Sequence, residues 1–153
     1  NLFNKSEKLF ILIGVLGLLP FFIGLFDLFI DKNNLLFAVN LPKDYGSIIL
    51  TFLGAIYWGS MLNLPSKRLI PKKIQSYIII WSVIPSILAI TILSTKNNLS
   101  ILILSICFLI CQLIDEICIK YLLFPSWYLP LRRILTLIVV IVLICSYFII
   151  QTP

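Results

Sequence analysis

The sequence predicts an all-α fold: a polytopic membrane protein, residues 1–153 forming one domain, arranged as a bundle of five transmembrane helices. Three observations predict it. The chain is 61% hydrophobic and 12% charged, whereas a soluble domain is about 45–50% apolar and about 25% charged. The apolar residues arrive in five long runs rather than in an alternating pattern. Lysine and arginine concentrate in alternate connections between those runs.

A helix rises about 1.5 Å per residue, so about 20 apolar residues cross the roughly 30 Å of hydrocarbon. The first run covers about residues 9–30 and the second about 45–64. The third covers about 74–93, the fourth about 99–119 and the fifth about 131–150. Between them stand "DKNN", "NLPKD", "NLPSKRLIPKK", "TKNN" and "FPSWYLP". These carry the Pro, Asn and charge that end helices. The runs are too long and too uniformly apolar for barrel strands, which alternate over about ten residues.

Lys5, Lys8, Lys67, Arg68, Lys72, Lys73, Lys120, Arg132 and Arg133 fall on the side that carries the N-terminus. Lys32, Lys43 and Lys96 fall on the other. The positive-inside rule then places the N-terminus inside and the C-terminus outside. The three tryptophans, Trp58, Trp81 and Trp127, fall toward the basic side as well, where an aromatic ring bridges tails and headgroups. The net charge of +6 does not point to nucleic acid, because no basic domain exists to hold one.

Few polar residues remain to be explained. In the second run Ser47, Thr51, Ala55 and Gly59 recur every four residues and give one small face. Such faces let helices approach closely in lipid. The expected use is packing within the same chain, with a partner-protein interface as the alternative. Pro20 and Pro85 fall near the middle of the first and third runs and are expected to kink their helices.

The fourth run ends in "CQLIDEICIK" (111–120). Asp115 lies five residues before Lys120, about 7 Å deeper, where a carboxylate needs a partner. Glu116 has Lys120 at i+4 in the favourable order. For Asp115 the expected partner is Arg132 at the start of the fifth helix, whose planar fork suits a carboxylate. Gln112 and Arg133 join the same candidate polar cluster. A helix-fixing ion pair is the first reading and a solute or proton pathway the second. Cys107, Cys111, Asp115 and Cys118 share a stripe, yet positions i, i+4 and i+11 extend over about 16 Å, too far for one ion with bonds near 2–2.3 Å. No metal site is expected.

The chain has no histidine. Ser-His and Cys-His pairs are therefore excluded, and no phosphate-binding glycine loop is present. The sequence points away from an enzyme and calls for no cofactor. Trp58, Trp127 and Tyr128, with Lys72 and Lys73, are candidates for contact with anionic lipid headgroups.

The blocks "LGLLPFFIG" (16–24), "YGSIILTFLGAIYWG" (45–59), "WSVIPS" (81–86), "QLID" (112–115) and "PSWYLPLRRILT" (125–136) follow one another in order. Together the chain resembles the family of eukaryotic transmembrane protein 69 and its bacterial relatives. The resemblance covers nearly the whole chain. It implies a small integral protein of a bacterial or mitochondrial inner membrane. It also implies that Trp58, Asp115, Trp127, Arg132 and Thr136 belong to the family pattern. Family members often carry His where this chain has Tyr57, so any role of that His is absent or altered here.

The expectation drawn from these readings is a non-enzymatic inner-membrane protein, an accessory or assembly component of a larger membrane complex. One alternative is a small-solute or proton translocator with Asp115 in its pathway. The other is a protein that binds or modifies anionic lipid. The implied partners are the lipid bilayer and other membrane subunits, not nucleic acid.

Overall fold

The computed structural model describes residues 5–30, 35–63 and 70–151, with side chains from residue 6 in the first segment and residue 37 in the second. Lys32, Lys67 and Arg68, counted above in the charge split, lie outside the described residues. The helices in order are α1 (Lys5–Leu16), α2 (Leu19–Ile30), α3 (Leu35–Leu62), α4 (Lys72–Ser94), α5 (Leu99–Cys118) and α6 (Tyr128–Gln151). No strand occurs among the described residues. Among the described residues five stretches are long and apolar enough to cross a membrane: Ser6–Ile30, which joins α1 and α2, then Phe37–Leu62, Lys72–Ser94, Leu99–Cys118 and Tyr128–Gln151. The chain has the architecture of a multi-pass membrane protein.

Helices are the structure that lipid demands, because every backbone N–H and C=O must find a partner inside its own segment. Several side-chain hydroxyls follow the same rule. Ser47 donates to the Lys43 carbonyl at 2.8 Å, Thr51 to the Ser47 carbonyl at 3.0 Å and Ser146 to the Val142 carbonyl at 2.9 Å. Each returns to the preceding turn, so each hydroxyl is satisfied without a neighbouring helix.

Two boundaries differ from the sequence expectation, both because of proline. The first span is not one kinked helix. It stops at Leu16 and restarts at Leu19, with Pro20 as the second residue of α2. A proline in mid-helix lacks an N–H and its ring collides with the carbonyl four residues back. At a helix start that N–H is unneeded. The turn keeps its donors occupied: Gly17 N–H reaches the Ile13 carbonyl at 2.9 Å, and Phe22 N–H the Leu18 carbonyl at 3.2 Å.

The second span begins ten residues earlier than expected, and "NLPKD" lies inside α3 rather than before it. Pro42 is almost fully buried, and a Cβ on Gly24 would overlap its ring. Packing of α2 on α3 therefore overrides a local turn signal. At 28 residues, α3 is about 42 Å long, longer than the roughly 30 Å hydrocarbon layer. It must tilt or extend beyond that layer. Pro85, by contrast, stays inside a continuous α4.

The helix α3 is the hub, packing on α2, α4, α5 and, at its edge, α6. Close approach is made at Gly46 and Gly54. A Cβ on Gly46 would lie 2.6 Å from Leu104 of α5, and one on Gly54 would lie 2.5 Å from the Ser82 carbonyl of α4. The main core gathers Phe21, Leu50, Ile92, Ile101, Leu104, Phe108 and Leu143. A smaller cluster of Tyr57, Ile78, Cys118 and Leu122 lies between α3, α4 and the end of α5. The end of the bundle that carries the N-terminus, the proximal end, also holds the start of α6: Phe10 and Trp127 stack with centroids 5.5 Å apart. The large outward side chains are apolar. Phe26, Ile48, Phe52, Ile90, Leu113 and Ile134 are all exposed, as a lipid-facing surface requires.

Candidate functional site: a polar lock between three helices

The site is built on Asp115, three residues before the end of α5 and only 2% exposed. A lone buried carboxylate is costly in a low-dielectric interior. Two neighbouring helices supply its partners. From α6, Arg132 Nε donates to Asp115 Oδ2 at 3.0 Å. From α3, the Tyr57 hydroxyl donates to Asp115 Oδ1 in a short hydrogen bond. Both carboxylate oxygens are thus engaged, and one side chain ties α3, α5 and α6 together.

Tyr57 suits the position because its ring is apolar and its tip is polar. The ring meets Phe124 edge-on at 6.3 Å and packs with Ile78, Cys118 and Leu122. Arg132 is 8% exposed, and its Nη2 is buried with no protein acceptor. The guanidinium therefore keeps one buried nitrogen whose N–H groups are unused. Tyr128, stacked on Phe124 at 4.5 Å, lies near enough to feel the charges of both Asp115 and Arg132.

A second, outer bridge runs parallel to the first. Arg133 reaches Glu116 through Nε and Nη2, both at 2.6 Å. Gln112 Nε2 donates to Glu116 Oε1 at 3.0 Å, and Thr136 Oγ1 donates to Gln112 Oε1 at 3.2 Å. Gln112 thus serves Glu116 and Thr136 rather than Asp115. The Arg133 side chain is 57% exposed, so this bridge is screened and contributes little. We expect Glu116→Gln to leave the thermal unfolding temperature nearly unchanged in detergent.

Glu116 departs from the sequence expectation, which paired it with Lys120. The helix ends at Cys118, so Lys120 is not one turn further along the same helical face. Its ammonium lies over the Tyr121 ring at 5.0 Å. The arginine fork across the helix pair takes both Glu116 oxygens instead. Tyr57 is the participant that residue patterns missed, since a tyrosine in an apolar run reads as core.

The remaining candidates are dispersed. Of the four small residues expected to share one α3 face only Ser47 is buried; Thr51, Ala55 and Gly59 face outward, and nothing lies within 4 Å of a Cβ on Gly59. The expected intramolecular use of that face is not what the structure shows, because Gly46 and Gly54 make the close approaches. Trp58 is 53% exposed, Lys72 and Lys73 are exposed at the start of α4, and Trp127 is engaged with Phe10. Trp81 is set well inside α4 and packs partly against both cores. Asp27, on α2, has a buried Oδ2 without a hydrogen-bond partner. Cys107, Cys111 and Cys118 are buried and Cys145 is exposed, all as free thiols.

Chemically the cluster is a neutralised, hydrogen-bonded ion pair that fixes three helices in one register. Comparison with curated proteins finds no match, and neither does comparison with solved structures. A family model does match, over residues 6–148, and its description is "Protein of unknown function (DUF3429)". That match takes in all six helices almost entirely, the lock included, and the chain belongs to this family.

Proposed function

We propose that this protein is a non-enzymatic integral membrane subunit, an accessory or assembly component of a larger membrane complex. The observation that carries the proposal is the outward face of α3. Ala55 and Gly59 form a small-residue notch that is left open among the described residues. Phe52, Trp58 and Leu62, all exposed, rim it. In lipid, helices associate by close packing on small residues rather than by the hydrophobic effect, and a notch with large side chains around it fits a partner helix. The Thr51 hydroxyl on the same face is already bonded to its own helix, so docking there leaves that hydroxyl satisfied.

The charge asymmetry supports an N-terminus on the cytoplasmic or matrix side of an inner membrane. The ordered blocks from 16–24 to 125–136 support kinship with eukaryotic transmembrane protein 69. The translocator reading has less behind it. Asp115 and Glu116 are both held by arginines, and Asp27 is on α2, outside that network.

Native mass spectrometry after extraction into polymer-bounded native nanodiscs tests the subunit reading. We expect a stoichiometric complex with a second membrane protein. Gly59→Leu is expected to reduce its recovery at least several-fold without lowering the unfolding temperature of the isolated chain. Recovery of the wild type as a lone monomer would count against the reading.

A further inference from the structure

A groove of about 430 Å³ opens between α4 and α5 on the proximal half of the bundle. Its walls include Ile74, Tyr77 and Trp81 from α4, Ile114 and Cys118 from α5, and Tyr121 just beyond. We propose that it seats one acyl chain of an anionic phospholipid of the proximal leaflet, with the phosphate held by Lys72, Lys73 and Lys120.

Length supports this occupant. The lining extends along α4 from Ile74 to Ile84, ten residues or about 15 Å. That is half of the roughly 30 Å hydrocarbon layer, the depth of one leaflet. Further along, Ala89 and Ile92 of α4 join Ile101 of α5 in the main core, and the groove ends. A partner helix crossing the whole membrane would need a longer seat.

Charge supports it as well, because Lys72, Lys73 and Lys120 all belong to the proximal end of this helix pair. Lys73 and Lys72 directly precede Ile74 and open α4. The Lys120 ammonium lies 5.0 Å from the centre of the Tyr121 ring, and that ring is itself part of the groove wall. The N-cap residue of α4, Pro71, makes no side-chain bond to the first turn, and a helix start carries partial positive charge. An acyl chain in the groove thus brings its phosphate to three ammonium groups and a helix N-terminus. Long lysine stems reach such a headgroup while lying along apolar wall.

Trp81 provides the readout. A variant keeping only this tryptophan (Trp58→Phe, Trp127→Phe) is placed in phosphatidylcholine nanodiscs. Acyl-brominated phosphatidylglycerol is added at a small mole fraction, and acyl-brominated phosphatidylcholine at the same fraction serves as the comparison. We expect several-fold stronger Trp81 quenching by the anionic lipid. The difference should vanish in Lys72→Gln/Lys73→Gln/Lys120→Gln, a variant whose unfolding temperature checks that it folds. Equal quenching by both lipids would mean annular contact only and would overturn the proposal. Absence of quenching by either would mean that protein covers Trp81, and would overturn it too. A preference that survives in the triple variant would remove the lysines from the site.

Discussion

Arg132→Ala lowers the stability of the bundle by about 3–5 kcal/mol, because it leaves a buried carboxylate without its counter-charge. The Asp115 side chain is 3% exposed and that of Arg132 is 9% exposed, so neither can recover its solvation by a small movement. The loss is mainly the cost of the stranded charge rather than the worth of the pair. Replacing both residues by apolar side chains of similar volume, Asp115→Leu with Arg132→Met, should therefore be much milder than Arg132→Ala alone. Tyr57→Phe removes one donor from Asp115 Oδ1 and should cost about 1–3 kcal/mol. Because all three groups share one carboxylate, their effects will not add. Thermal unfolding of the four proteins in one detergent checks the order: wild type, then Tyr57→Phe and the double apolar variant, with Arg132→Ala least stable.

Gly54→Leu should be comparably severe, for a different reason. A Cβ at that position would lie 2.5 Å from the Ser82 backbone carbonyl and 3.2 Å from the Pro85 ring. A backbone atom cannot swing aside as a side chain does, so α3 and α4 must separate. Overpacking of this kind costs about 1–3 kcal/mol and occasionally more, and leucine adds three further carbons to the clash. Gly59 is on the same helix and meets nothing within 4 Å. There Gly59→Ala should stabilise the isolated chain by up to about 1 kcal/mol through helix propensity. Opposite signs from two glycines five residues apart, read in the same unfolding assay, would locate the packed and open faces of α3.

The contrast explains what the sequence could and could not reveal. Hydrophobic run length locates spans, since lipid imposes a fixed thickness, and α4, α5 and α6 begin and end within three residues of the expected positions. Local signals misplace the start of α3, because the fit of Pro42 against Gly24 is a contact between different helices. Periodicity finds the small face of α3 but not its direction. Gly46, Gly54 and Gly59 all read as small residues, and only the neighbours that surround the first two assign them to the interior. Asp115 and Arg132 stand out as charges within apolar surroundings. Tyr57 does not, since half of a tyrosine is hydrocarbon.

The proposed role depends on the outward face of α3 being covered by protein in the native membrane. Site-specific photocrosslinking measures this most directly. A photoreactive residue at Gly59 is compared with one at Ile90, an α4 position that is 65% exposed. The subunit reading predicts a discrete protein adduct from position 59 and lipid adducts alone from position 90. Lipid adducts alone from both positions would contradict it.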